Sequence, residues 1–196
     1  MKKGTIITLV IVAILVIVGM SGCESYNKMV KMRESVQSQW ANVENQYQRR
    51  SDLIPNLVNT VKGYAAHESS TLEAVVEARS KATSATVSFD QLDAQSIQQF
   101  NSAQGELSTA LGRLLAISES YPDLKANQNF RDLQVQLEGT ENRIAVERRK
   151  FNEQAQGYNT SVKQFPRNVL AGMFGFQQIP YFAAEAGAEK APVVEF

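Results

Sequence analysis

Apolar residues along this chain recur in steps of three and four. Tyr26, Met29, Arg33, Val36, Trp40, Val43, Tyr47 and Arg50 keep that spacing, which marks one side of a helix packed against others. The pattern predicts an end near Arg50, where Arg49 and Arg50 complement the negative end of the helix dipole. Ser51 or Asp52 can then cap a second helix, with Pro55 in its first turn, where a missing N–H matters little. The second stripe is Ile54, Leu57, Val61, Ala65, Glu68, Leu72, Val75, Arg79 and Ala82. A turn this short predicts antiparallel neighbours. Between Thr83 and Asp93 the period fades and Ser, Thr and Asp collect, which reads as a loop. A third stripe runs Phe100, Ala103, Leu107, Leu111, Leu114, Ile117 and Tyr121, stopped by Pro122. A fourth runs Phe130, Leu133, Leu137, Thr140, Ile144, Glu147, Phe151, Ala155, Tyr158, Val162 and Phe165, roughly 54 Å of helix before Pro166. No stretch alternates with period two.

Ahead of these stripes lies an apolar run without charge, Ile6 to Val18, behind Lys2 and Lys3. Thr5 to Gly22 makes roughly 27 Å as a helix, close to the ~30 Å hydrocarbon core of a bilayer. The same run fits the length of a signal h-region. Met20-Ser21-Gly22-Cys23 resembles the lipobox of bacterial lipoproteins, with Met20 where leucine is usual. The segment is therefore either an uncleaved single-pass anchor or a signal cut and lipidated at Cys23. Both place the protein on a membrane. If it is uncleaved, Gly19, Ser21 and Gly22 are the expected bend between span and first helix. The fold class that results is all-α, an N-terminal membrane anchor followed by an antiparallel bundle of four long helices. The divisions are 1–23 for the anchor, 24–166 for the bundle, 167–182 for an aromatic C-terminal segment and 183–196 for a disordered tail.

Composition narrows the chemistry. Lys and Arg number 20 and Asp and Glu number 20 in 196 residues, so no basic excess exists to hold nucleic acid. One cysteine and one histidine, His67, cannot build a thiolate site or a His-rich cage. A di-metal carboxylate site in a helical bundle draws on paired Glu-x-x-His motifs. Glu68, Glu138, Glu141 and Glu147 are present, but Tyr64 stands three residues before the histidine, and the ligand set is short. No cofactor and no small-molecule substrate is indicated.

Several long stretches carry a family likeness. RRSDLIPNLVNTVKGYAAHE (Arg49 to Glu68), YPDLKANQNFRDLQVQLEGTENRIAVERRKFNEQAQGYNTSVKQFP (Tyr121 to Pro166), the opening Tyr26-Asn27 and FGFQQIPYF (Phe174 to Phe182) resemble the LemA family. The resemblance implies a bacterial, membrane-anchored protein with a long helical bundle. It implies no reaction, and no catalytic residue carries over. Members more often enter the bundle from a span without a lipobox cysteine, so Cys23 is a departure.

Three further groups of residues carry alternatives. Arg33, Arg50, Glu68, Arg79 and Glu147 are charges inside apolar stripes. Each must pair or reach water, and they either fix helix register or line a polar groove for a partner. Arg79 with Glu141 or Glu147 is the expected pair. His67-Glu68 is the one candidate acid–base dyad, without a nucleophile or oxyanion feature beside it. The aromatic segment holds Phe165, Phe174, Phe176, Tyr181 and Phe182. It either folds back on the bundle or docks a protein or the membrane interface through Phe174, Phe176, Tyr181 and Phe182. The leading reading is a non-enzymatic, membrane-anchored scaffold that binds other envelope proteins or membrane. An accessory subunit of a membrane protease or other envelope enzyme is the alternative.

Overall fold

The first predicted boundary is absent. In the computed structural model α1 runs unbroken from Lys3 to Tyr64, with Pro55 inside it. A proline at that depth removes the N–H that would bond the carbonyl four residues back, here that of Ser51. The freed carbonyl is taken by another helix instead: the Arg79 Nε donates to the Ser51 oxygen at 2.9 Å. The Ser51 and Thr83 hydroxyls lie 3.3 Å apart beside it. With its orphan acceptor satisfied, the helix passes through the proline and ends at Tyr64. The reversal comes at Ala65–Glu68, where the Glu68 amide donates to the Ala65 carbonyl at 3.1 Å.

The structure describes the backbone of residues 3–183, and the side chains of that range other than 3, 5–8, 10 and 13–19. The expected disordered tail, from residue 184 on, and the charge of Lys2 lie outside the described residues. After α1 come α2 (Ser69–Ser84), α3 (Ala94–Ile117), α4 (Pro122–Ala126), α5 (Gln128–Lys163) and α6 (Arg167–Phe174). Single 3-10 turns stand at Phe89–Gln91 and Ser118–Ser120. The chain is thus all-helical over the described residues, with six helices where four were expected. The helix assignment continues through Gly19, Ser21 and Gly22, so the expected bend does not interrupt it. Among the described residues no helix is long and apolar enough to cross a membrane.

Local chemistry sets the remaining boundaries. Asp93 opens α3 with a capping box, its carboxylate accepting from the Ser96 amide at 2.6 Å while its own amide donates to the Ser96 hydroxyl at 2.9 Å. That amide bond holds the Asp93 carboxyl below the usual aspartate range. α3 stops at Ile117, short of the expected Tyr121, and Pro122 opens α4 at the position where its missing N–H is harmless. Asn127 caps α5 by accepting from the Phe130 amide at 3.0 Å. α5 closes at Lys163, so Phe165 falls beyond the helix and off its inward stripe, 83% exposed.

The chain divides into two compact units. One holds the residues through Asn45 with Arg149–Ile179. Its core is Met29, Val36, Trp40 and Val43 of α1 with Phe151, Ala155, Tyr158 and Val162 of α5. The Trp40 and Phe151 rings meet edge-on at 5.5 Å, an arrangement that adds roughly 0.5–1.5 kcal/mol beyond burial. The other unit holds Gln46–Arg148 and the segment from Pro180. Its core takes Ile54, Leu57 and Val61 of α1, Leu72 and Val75 of α2, Leu107, Leu111 and Leu114 of α3, Leu124 of α4, and Phe130 and Leu137 of α5. Apart from Leu124, which no stripe contained, both cores follow the predicted stripes.

The proline contact makes a test. Arg79→Ala leaves the Ser51 carbonyl without a donor and is expected to cost about 1–3 kcal/mol in urea denaturation. In a Pro55→Ala background the restored amide takes that carbonyl, and the same substitution should cost less than half as much. Equal losses in the two backgrounds would show that Arg79 acts by packing alone.

Candidate functional site

Arg50 is the chemical centre of the second unit. It sits on the inward stripe of α1 with 1% of its surface exposed. A guanidinium taken out of water needs a counter-charge and acceptors. The Nη1 donates to the Glu141 Oε1 of α5 at 2.6 Å and to the Ser108 hydroxyl of α3 at 2.9 Å. The Nη2 donates to the Gln104 side-chain oxygen and to the Gln104 carbonyl. Gln104, itself buried, passes the connection on, its amide donating to the Ala82 carbonyl at the end of α2 at 3.2 Å. The Arg50 Nε is buried without a hydrogen-bond partner. One side chain thereby connects α1, α3 and α5 directly and α2 through Gln104.

Above this cluster lies a cleft of about 1030 Å³. Tyr47 and Arg50 of α1, the 94–109 face of α3, Glu141 to Arg148 of α5 and the Pro180–Ala183 segment line it. Behind its Tyr47 wall stands an aromatic row. The Tyr47 ring meets Phe100 edge-on at 4.9 Å, and Phe100 lies 6.5 Å from Phe182. Arg148 sits 4.8 Å over the Phe182 ring and donates to the Ala183 carbonyl at 3.1 Å. Burial pushes the Tyr47 phenol above its usual range, against the pull of the Arg148 and Arg50 charges. The wall also holds Asn101, whose side-chain oxygen is out of water and has no donor. The cleft combines apolar surface with fixed polar groups, which suits recognition. Among the described residues no three His, Cys, Asp or Glu side chains gather into a metal-sized cluster.

The residues singled out in the sequence separate into distinct settings. Arg50 alone of the five striped charges is fully buried. Arg79 is half-buried on the Ser51 carbonyl, and of its two expected partners, Glu141 and Glu147, Glu141 is paired with Arg50 instead. Arg33 is half-buried, its charge acting on the Tyr158 phenol, which burial pushes upward. Glu147 is half-buried with partners of its own. Glu68 accepts from the Tyr121 hydroxyl at 3.1 Å, which holds that phenol above its usual range. His67 beside it in sequence is exposed. Cys23 is exposed and free. Of the aromatic segment, Phe182 is buried, Phe176 half-buried, and Tyr181 and Phe174 exposed.

Gln104, Ser108 and Asn101 escaped the sequence reading. They occupy polar positions of α3, and nothing in the spacing distinguishes a polar side chain that meets a guanidinium from one that meets water. The stripe position of Arg50 was the available signal, since a buried arginine requires acceptors on the facing helices.

Residues 39–196 match the model of the LemA family. Magnetosome protein MamQ of Magnetospirillum gryphiswaldense is 31% identical over 186 residues, covering 86% of this chain and 68% of that protein. Magnetosome protein MamQ 1 of Paramagnetospirillum magneticum is 28% identical over 211 residues, covering 98% of this chain and 77% of that protein. Protein LemA of Metamycoplasma hominis is 23% identical over 158 residues, covering 81% and 68%. The matched region takes in Arg50, the α3 and α5 groups that hold it and the segment that walls the cleft, and the chain belongs to the LemA family.

Proposed function

We propose that this chain is a non-enzymatic, membrane-tethered helical scaffold of the bacterial envelope, and that the cleft beside Arg50 takes an extended segment of a partner envelope protein. The observation that carries this reading is the cleft itself. At about 1030 Å³ it stands at the upper end of the range for small-molecule sites. The Arg50 Nη groups are already engaged with Glu141, Ser108 and Gln104, while the Arg50 Nε and the Asn101 side-chain oxygen are buried without partners. Rotation of that half-buried amide meets an incoming backbone N–H, the group every peptide segment offers. Apolar contact comes from Ile97, Ile144, Pro180 and Tyr181. Arg50 and Glu141 act here as register, holding the walls at fixed separation.

The tether is the apolar run from Ile6 to Val18. The reach of Thr5 to Gly22, roughly 27 Å as a helix, suits an uncleaved single-pass anchor, with lipidation at Cys23 as the alternative. The names of the relatives, magnetosome protein and LemA, carry no reaction and accord with a scaffold.

Three measurements test this reading. Glu141→Ala leaves Arg50 buried without its counter-charge and is expected to cost about 3 kcal/mol, at the lower end for a broken buried pair because Glu141 is half in water. Glu138→Ala, at an exposed position of α5, should change urea stability by under ~0.5 kcal/mol. Similar small losses at both would remove the register role. A photo-crosslinker at Ser102 on the cleft rim should capture one defined envelope protein in intact cells, whereas the same group at exposed Val135 should not. Gly105→Trp fills the cleft from a position where an added Cβ meets nothing within 4 Å, and capture should disappear while thermal stability holds. Capture that survives a filled cleft would place the partner elsewhere. Cys23→Ser should leave the chain in the membrane fraction after an alkaline wash; its release would make Cys23 a lipid anchor.

A further inference from the structure

α6 presents apolar side chains to solvent on one side while Ala171 is buried on the other. Val169 and Met173 are one turn apart on the outer face and are 54% and 73% exposed. Phe174 is 57% exposed, and Phe165, just ahead of the helix, 83%. Four large apolar side chains in ten residues is more than scattered surface apolarity explains.

The position of this face identifies what covers it. The Phe174 and Phe176 rings meet Tyr26 of α1 edge-on at 4.9 and 5.5 Å. Gly175, at φ +73°, makes the tight reversal that brings both to the same tyrosine, with the Phe176 amide closing on the Ala171 carbonyl at 2.9 Å. Tyr26 lies four residues past Gly22, the end of the roughly 27 Å Thr5–Gly22 segment, and three past Cys23. That is about 4.5–6 Å along the helix, within the headgroup layer that aromatic side chains favour. The tyrosine is at the bilayer surface whether the anchor is the span or a lipid on Cys23, and the rings against it share that level. Exposed Lys28, Lys31 and Lys163 add charge suited to anionic headgroups.

We infer that α6 is a membrane-interface helix, lying on the bilayer with Phe165, Val169, Met173 and Phe174 in the headgroup and upper acyl region. The occupant of this apolar face is therefore a lipid surface, and the anchor is a two-point attachment, one through the N-terminal segment and one through α6. The inference rests on the membrane tether proposed above. Apolar faces of such helices reach about 5–10 Å into the boundary.

The test uses the full-length chain reconstituted in phosphatidylethanolamine/phosphatidylglycerol vesicles containing brominated phosphatidylcholine. Met173→Trp and, as a second probe, Val169→Trp each add one indole to buried Trp40, whose emission is subtracted from the unsubstituted chain. Val135→Trp, 66% exposed on α5, is the solvent control. A blue-shifted emission that brominated lipid reduces roughly twofold at 173 and 169, but not at 135, supports the inference. Unquenched emission at both α6 positions, in chain that resists carbonate extraction, overturns it and leaves the anchor standing. Release of the chain by carbonate overturns the anchor and the inference together.

Discussion

The second unit is organised by the need to satisfy one buried guanidinium. Arg50 is on the inward side of α1, where the neighbouring stripe positions are Tyr47, Ile54 and Leu57. Leaving that charge dry and unpaired costs about 3–5 kcal/mol, a large share of what most domains have to lose. Glu141 therefore has to come from α5 and Gln104 and Ser108 from α3, at distances that tolerate little movement. A register slip of one helical turn would carry the carboxylate about 5.4 Å away. The apolar stripes alone tolerate such a slip, because Leu and Val rows look alike one turn along. The ionic cluster does not, and the cleft keeps its shape because its floor has one permitted arrangement.

A second polar requirement lies one residue further on. Pro55 deprives the Ser51 carbonyl of its helical partner, and Arg79 supplies the replacement. The two arginines occupy similar stripe positions, and both answer acceptors inside the fold. Arg50 answers a carboxylate, two neutral side chains and one main-chain carbonyl, whereas Arg79 answers a single main-chain carbonyl. That difference explains their unequal burial: a single backbone acceptor does not compensate a fully dry guanidinium, and Arg79 keeps part of its surface in water.

What the sequence revealed follows from which forces are periodic. Burial of Met29, Val36, Trp40 and Val43, or of Leu72, Val75 and Ala82, tracks the stripes because packing selects one side of a helix. The stripe even continues through Ala65, buried although α1 ends at Tyr64. The loop between Thr83 and Asp93 was legible from its Ser, Thr and Asp content, whereas the capping box at Asp93 emerged only in the structure. The boundary at Arg50 was misread because a proline reports a missing donor and is silent about whether a distant side chain will serve the freed acceptor. The site was legible only at Arg50. Gln104 and Asn101 look like any polar position of α3, and the aromatic segment has no period from which to separate buried Phe182 from exposed Phe174.

The aromatic segment is held by something other than its aromatic rings. Asn159 of α5, 2% exposed, donates to the Ile179 carbonyl at 2.7 Å and accepts from the Ile179 amide at 2.9 Å. An amide side chain that satisfies both backbone groups of one residue acts like a short stretch of paired strand, and its low exposure makes the pair costly to break. With Ile179 fixed in this way and Gly175 setting the reversal, the segment stays in place without burying Phe174, Met173 or Phe165. Polar fixation of this segment separates holding it from covering it. Its apolar surface is thereby left for a medium outside the fold, beside the Tyr26 ring that Phe174 and Phe176 meet.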